Sequence, residues 1–232
     1  MVYNSLFKNI LNSLLPVSCG LCNAATGSHL PLCQSCLSEL PLLGTACNTC
    51  ALPVASAGSC GKCQQHRPVC EQTEALFLYQ EPLSQLVQQF KFRRKLEYGC
   101  LFSCLMAKKL LSLPEKPDVI IPVPLHSSRL RSRGFNQSWE IARQLSRITG
   151  IKASHKFCRR IKKTPLQTGL KASERRRNLK QAFSITANVK GLHVCIVDDV
   201  MTTGSTLEAI AVALKAAGAG RVSGLVVARA VL

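Results

Sequence analysis

From the start of the chain, Leu6, Ile10, Leu11, Leu14 and Leu15 recur at helical spacing, which predicts a short amphipathic helix over residues 1–15. That regularity then stops. Residues 19–70 are rich in Cys, Gly, Ser and Pro and hold few periodic segments. They predict a small module held by something other than an apolar core. Order returns at Glu74. Residues 75–79 read as a short strand. Pro82 stands near the start of a helix that runs to about Lys95 and carries Leu83, Leu86, Val87 and Phe90 on one face. Residues 98–113 form a second helical segment, ended by Pro114, and 118–122 make a buried-type strand. A helix over 134–149 stops at Gly150. Residues 156–161 read as a strand, and 164–180 as a basic loop with one helical piece. A second buried strand at 193–197, a helix over 204–217 closed by Gly218, and a last strand at 222–228 complete the pattern. Strands alternating with helices predict an α/β fold with a parallel sheet and right-handed crossovers. The change of texture divides the chain into a Cys-rich front, residues 1–70, and an α/β domain, residues 71–232.

Composition supports this picture and adds a charge. Hydrophobic residues make up 47% of the 232, enough for a packed core, while aromatics at 5% leave Val, Leu, Ile and Ala to fill it. The formal charge of +18 is concentrated. Between His126 and Lys180 lie sixteen Lys or Arg and two acids, Glu140 and Glu174, a net +14. Such a field attracts phosphates, on a small anion or on the backbone of single-stranded DNA. The plainer alternative is a solvated basic face that serves solubility. No apolar run reaches the ~18 residues of a membrane-spanning helix. The first sixteen residues carry one Lys and an interrupted apolar run with no small-residue cleavage site, unlike a secretory signal. Pro16, Val17, Ser18 and Cys19 have the look of a lipoprotein site, but a basic start and long apolar core are missing. The expected compartment is the cytosol.

There, clustered cysteines point to metal before disulfide. Nine of the thirteen cysteines fall within residues 19–70. Eight of them make one pattern in tandem: Cys19 and Cys22, then Cys33 and Cys36 after ten residues; Cys47 and Cys50, then Cys60 and Cys63 after nine. Each Cys-x2-Cys knuckle brings two thiolates to one tetrahedral ion, and two knuckles complete a closed structural zinc site. Two structural zinc ions are expected, supplying folding free energy that so small a segment cannot get from burial. Four disulfides or an iron–sulfur cluster are the alternatives. The spacing leaves open whether the knuckles pair consecutively or cross over. Cys70 reads as a small buried side chain. His29 and His66 are spare ligands that eight cysteines do not require.

The densest chemistry lies at 193–206. An apolar strand ends in Asp198 and Asp199. Val200 and Met201 follow, then Thr202, Thr203, Gly204, Ser205 and Thr206, where a helix begins. Backbone N–H groups at a helix start, with hydroxyls and a glycine, suit a phosphate. A simple helix cap accounts for one hydroxyl, not for four hydroxyls, a glycine and two acids. The acids would repel phosphate, so they are assigned to ribose hydroxyls or to Mg²⁺ held near them. No Gly-Lys-Ser/Thr is present for a Walker A loop.

This run resembles the signature with which type I phosphoribosyltransferases bind phosphoribosyl pyrophosphate (PRPP). The resemblance implies that Asp198 and Asp199 take the ribose hydroxyls and that Thr202, Thr203, Gly204, Ser205 and Thr206 wrap the 5-phosphate. Val123, Pro124 and Leu125, after Ile121 and Pro122, match the pyrophosphate loop, with Arg129, Arg131 and Arg133 near the pyrophosphate. It also implies Mg²⁺ bound with PRPP. The stretches Arg133-Gly-Phe-Asn-Gln137, Thr164-Pro-Leu-Gln167 with Leu170, and Arg175-Arg-Arg-Asn-Leu179 narrow the likeness to the competence protein F family. The GntX-type DNA-utilisation proteins are similar too. The paired knuckles correspond to that family's double zinc ribbon, and the likeness covers nearly the whole chain from Cys19 on. It implies a role in DNA uptake or utilisation. Transferases of 6-oxopurines carry Asp where Thr202 stands, so that acceptor class is not expected. Thr is more like the orotate enzymes, whose mobile-loop lysine has candidate counterparts in Lys162, Lys163 and Lys171. The stretch 159–177 is a candidate lid. Trp139 reads as a core or interface residue, and Asn136 and Gln137 either cap their helix or reach the pyrophosphate.

Overall fold

The computed structural model describes residues 17–161 and 182–231. The predicted N-terminal helix, Lys162, Lys163, Lys171 and the basic stretch 164–180 lie outside them. Seven strands and seven helices are assigned among the described residues. The helices are α1 (Gln34–Ser38), α2 (Gly61–Gln65), α3 (Leu83–Arg93), α4 (Glu97–Ser112), α5 (Ser127–Arg133), α6 (Gln137–Thr149) and α7 (Ser205–Ala216). The strands are β1 (Gln72–Leu78), β2 (Val119–Pro122), β3 (Lys152–Ala153), β4 (Cys158–Arg160), β5 (Phe183–Ile185), β6 (His193–Met201) and β7 (Arg221–Arg229).

Five strands form one sheet in the order β1-β7-β6-β2-β3, and every pairing is parallel. β4 and β5 pair antiparallel as a separate two-stranded ribbon. The strand expected over 156–161 therefore exists as β4 but stands apart from the main sheet.

The period of two along β6 divides the interior into two cores. Cys195 and Val197 face a cluster with Leu225, Val227 and the helical residues Phe90, Leu101, Phe102, Met106, Ile141 and Leu145. Val194 and Ile196 face a second cluster with Val222, Val226, Leu207, Ile210 and Leu214 of α7. Helices thus cover both faces of the sheet, which is why its central strands read as unbroken apolar runs.

The Cys-rich module sits along the β1 edge. Leu43 donates its N–H to the Leu76 carbonyl at 3.0 Å, Leu78 donates to Pro41 at 2.8 Å, and Leu42 bridges Phe77 antiparallel.

The helix expected over 134–149 starts at Gln137 as α6, and a separate short helix, α5, precedes it. Gly134, at φ +81°, ends α5 in the left-handed conformation, and Asn136 opens α6. α5 escaped notice in the sequence because none of its residues is buried and it shows no apolar stripe. Trp139 is partly buried against the first core, its ring 4.6 Å from that of His155.

Candidate functional site

β6 and β2 run parallel, so their C-terminal ends open at the same edge of the sheet, the position where open α/β sheets hold their ligands. A cleft of about 330 Å³ lies there. Asp198, Asp199 and the loop Thr202–Thr206 line it, joined by Val123, Leu125 and Arg129 from beyond β2. Pro124, Arg131 and Arg133 are not among its lining residues, and Arg131 is exposed. Arg133 instead lies over the Phe92 ring, 5.2 Å from its centroid.

The two acids differ in setting. Asp198 Oδ1 accepts from the Ser138 hydroxyl at 2.7 Å and from the Asp199 N–H at 2.9 Å. Desolvation and the neighbouring Asp199 push the Asp198 carboxyl up to about 7, against the opposing pull of Ser138 and Lys91. Asp199 is 3% exposed and pairs with Lys91 Nζ at 3.0 Å. Burial disfavours the ammonium, but the two carboxylates outweigh it and raise the Lys91 pKa. Asp199 Oδ2 is buried with no hydrogen-bond partner among the described residues. An orphaned acceptor is costly, so this oxygen is suited to receive a hydroxyl from a ligand.

The loop beyond is shaped by Gly204, which caps α7 at φ +77°, a conformation an L side chain resists. Ser205 N–H donates to Thr203 Oγ1 at 3.3 Å, and those two hydroxyls also bond each other. The start of α7 and the hydroxyl-bearing Thr202, Thr203, Ser205 and Thr206 line the same cleft, an arrangement suited to an anion. Arg129 and Arg160 add positive charge across the cleft. Desolvation by burial, with Arg129 beside it, lowers the Arg160 pKa even though Asp198 opposes the shift.

Asn136 resolves one open reading. Its Oδ1 accepts from Ser138 and Trp139 N–H at 3.0 and 3.3 Å, and its Nδ2 donates to the Val123 carbonyl at 3.1 Å. It is a helix cap that also holds the segment after β2. Gln137 lines the cleft, and its Oε1 is buried without a partner among the described residues.

Lys91, Tyr79, Ser138 and Arg160 were not singled out in the sequence. For Lys91 a signal existed: Leu83, Val87 and Lys91 stand four apart on one ridge of α3, which places a charge beside the apolar stripe.

The cysteines of the module converge as the tandem spacing suggested. Cys19, Cys22, Cys33 and Cys36 bring their sulfurs within 4.8 Å of one another, and so do Cys47, Cys50, Cys60 and Cys63. The knuckles therefore pair consecutively. None of the cysteines is in a disulfide. Cys22 and Cys33 sulfurs stand 3.7 Å apart, Cys50 and Cys60 sulfurs 3.8 Å. Zinc–sulfur bonds of about 2.3 Å put the edge of a tetrahedron at about 3.8 Å, so both groups fit a zinc ion. Each group also holds one thiol ready to ionise. Burial works against it, but backbone N–H groups of Cys22, Cys33 and Leu21 bring Cys19 down to about 6, and those of Cys60, Cys50 and Thr49 do the same for Cys47. Cys70 is buried, hydrogen-bonded near Thr73 and pushed up to about 12 by desolvation, in keeping with a packing role.

Two domain families match this chain. Residues 10–64 match the double zinc ribbon domain and residues 103–230 the phosphoribosyl transferase domain. The DNA utilization protein YhgH of Salmonella typhi is 38% identical over 216 residues, which is 90% of this chain and 95% of that protein. Competence protein F of Haemophilus influenzae is 35% identical over 210 residues, 86% of each chain. The chain belongs to the competence protein F family. Among solved structures, the purine phosphoribosyltransferase of Pyrococcus horikoshii aligns at a TM-score of 0.37 and 25% identity, over 55% of this chain and 70% of that one. This member of the family has no helix, among its described residues, long and apolar enough to cross a membrane.

Proposed function

We propose that the cleft binds PRPP. One observation carries this reading: a carboxylate pair, a hydroxyl-rich helix start and basic side chains line a single cleft at one end of the parallel sheet. Asp199 Oδ2 and Asp198 would accept the ribose hydroxyls. The amides and hydroxyls of Thr202–Thr206 would surround the 5-phosphate. Arg129, with Arg160, faces the side where the pyrophosphate would lie, and the backbone of Val123 and Leu125 lines the approach. Mg²⁺, held with PRPP near Asp198 and Asp199, would neutralise charge on the leaving group. Lys91 keeps the acid pair from presenting two full negative charges to an anion. In a transfer reaction the bond from ribose C1 to the pyrophosphate breaks with cation-like character at C1, and fixed positive groups stabilise the departing charge.

Calorimetry with PRPP and Mg²⁺ tests the reading. The native protein should bind, and Asp198→Asn/Asp199→Asn should weaken binding by about 100-fold or more, as expected when buried acceptors for two hydroxyls are lost. No binding by folded, zinc-loaded native protein sinks the proposal. Release of pyrophosphate with an acceptor would mark an enzyme; binding without turnover would mark a sensor.

A second reading, favoured by a separate observation, is single-stranded DNA handling, in line with relatives named for DNA utilization and competence. Phe92 is 71% exposed beside Arg133, with Arg93, Arg94 and Lys95 following it. An exposed ring among cations suits base stacking with phosphate contact. The cytosol, where PRPP and reduced thiols occur together, is the compartment this function needs.

A further inference from the structure

Arg229 closes β7 and is only 7% exposed, yet none of the salt bridges among the described residues involves it. Its guanidinium is spent on backbone carbonyls from three parts of the chain. Nε donates to the Cys50 carbonyl at 3.0 Å. Nη1 donates to the Met201 carbonyl at 3.3 Å, and also to the carbonyls of Thr202 and Ala230. Cys50 belongs to the second four-cysteine group, and Met201 and Thr202 begin the anion loop. One rigid planar fork, 179 positions from Cys50 in sequence, thus joins the metal knuckle to the phosphate loop.

Charge favours the same link. Four thiolates around a divalent zinc would carry a net negative charge, and the buried Arg229 cation lies beside that group at the Cys50 carbonyl. A second strut runs alongside. Glu208, in the first turn of α7, accepts from the Val69 and Cys70 N–H groups at 2.9 and 3.2 Å, just beyond the same cysteine group. The loop is therefore gripped from the module at both of its ends.

We propose that Arg229 is a positioning residue that couples the second zinc site to the anion loop, so that filling the zinc site sets the loop for its phosphate ligand. Coupling between two sites is reciprocal, so the ligand in turn holds zinc more tightly at the second site and leaves the first unchanged. The identity of the ligand rests on the PRPP reading; the mechanical link does not.

Zinc release from the full chain to a chromophoric chelator tests the coupling, with PRPP and Mg²⁺ present or absent. Cys33→Ser and Cys60→Ser assign the phases to the first and second site. PRPP should slow release from the second site by roughly 5- to 150-fold, the usual span of such couplings, and leave the first site unaffected. Arg229→Lys, which keeps the charge but loses the fork, should still load two zinc ions while the slowing disappears. Equal slowing at both sites, or no slowing while PRPP binds, overturns the proposal. Hydrogen exchange gives a reading independent of PRPP and of how well Arg229→Lys folds. Emptying the second site with Cys60→Ser should deprotect the amides of 202–206, and Cys33→Ser should not. Unchanged protection in Cys60→Ser overturns the coupling, whereas failure of native protein to bind PRPP, with deprotection seen, overturns only the identity of the ligand.

Discussion

The two four-cysteine groups share a ligand set and nearly the same spacing but meet the rest of the molecule differently. The first is set into the larger core. Cys19 and Cys36 are packed in one cluster with Leu32, Leu40, Phe77, Tyr98 and Phe102, and Gly20 lies directly against the Tyr98 ring. None of the four ligands of the second group belongs to either core cluster. That group reaches the body through its neighbours, with Ala51 and Ala46 at the second core, and through the Cys50 carbonyl, which accepts from Arg229. Identical coordination chemistry therefore serves two purposes. One site staples a core, and the other holds the ground on which a ligand loop stands.

The largest expected effect sets the groups against each other. Structural zinc contributes on the order of 10 kcal/mol to folding small metal domains, about the whole stability of a typical protein. Cys19→Ser removes a fully buried ligand that is also a core residue, and should lower the melting midpoint further than a ligand change in the second group. Cys60→Ser should keep a cooperative melt at lower temperature. Thermal denaturation followed by circular dichroism, with zinc content measured alongside, compares them. Similar melts would erase the distinction.

A smaller effect tests the first group without touching a ligand. A Cβ at Gly20 would run into the Tyr98 hydroxyl. Gly20→Ala should cost about 1–3 kcal/mol, as overpacking does, in urea denaturation. Affinity for PRPP should stay within about twofold. A large loss of affinity would mean that the first group also governs the cleft.

The smallest effect concerns the cleft alone. The Asp198 carboxyl, up to about 7 in the empty cleft, is faced by Asp199, Lys91, Arg133 and Arg160. Accepting ribose hydroxyls favours the ionised form, so affinity should be full above pH 7. It should fall by up to about tenfold per unit as pH drops below it. Stability of the empty protein runs the other way. Between the unfolded value near 3.9 and about 7, the folded state binds the extra proton, so stability declines as pH rises. Calorimetry and melting across pH 5.5–8.5 measure both, and Asp198→Asn should flatten them. Neither trend should depend on the first zinc site.

Much of this molecule was legible in its residues. The buried strands β2, β6 and β7 announced themselves as apolar runs, the eight ligand cysteines by tandem spacing, and the acid pair with its hydroxyl loop by sheer density of function. β1 begins earlier than its apolar run suggested, because Gln72 and Glu74 are polar residues satisfied from outside the strand, by Arg221 and Lys109. β3 and β5 hold two and three residues, too few for a period to register. Lys91 and Arg229 were passed over for one physical reason. Arg229 is a lone charge ending an apolar stretch and Lys91 opens a basic run, both the usual look of a solvated boundary, and what gives each meaning is a partner far away in sequence.

Residues 41–43 carry a consequence beyond the zinc. They lie antiparallel along β1, the long outer strand of the sheet. The opposite margin protects itself, since β3 is only two residues long. An uncovered β1 would offer a ladder of open amides and carbonyls to any other chain with a free strand. The metal module is thus the selvedge of the fold, finishing the cut side of the sheet so that it does not join to its neighbours.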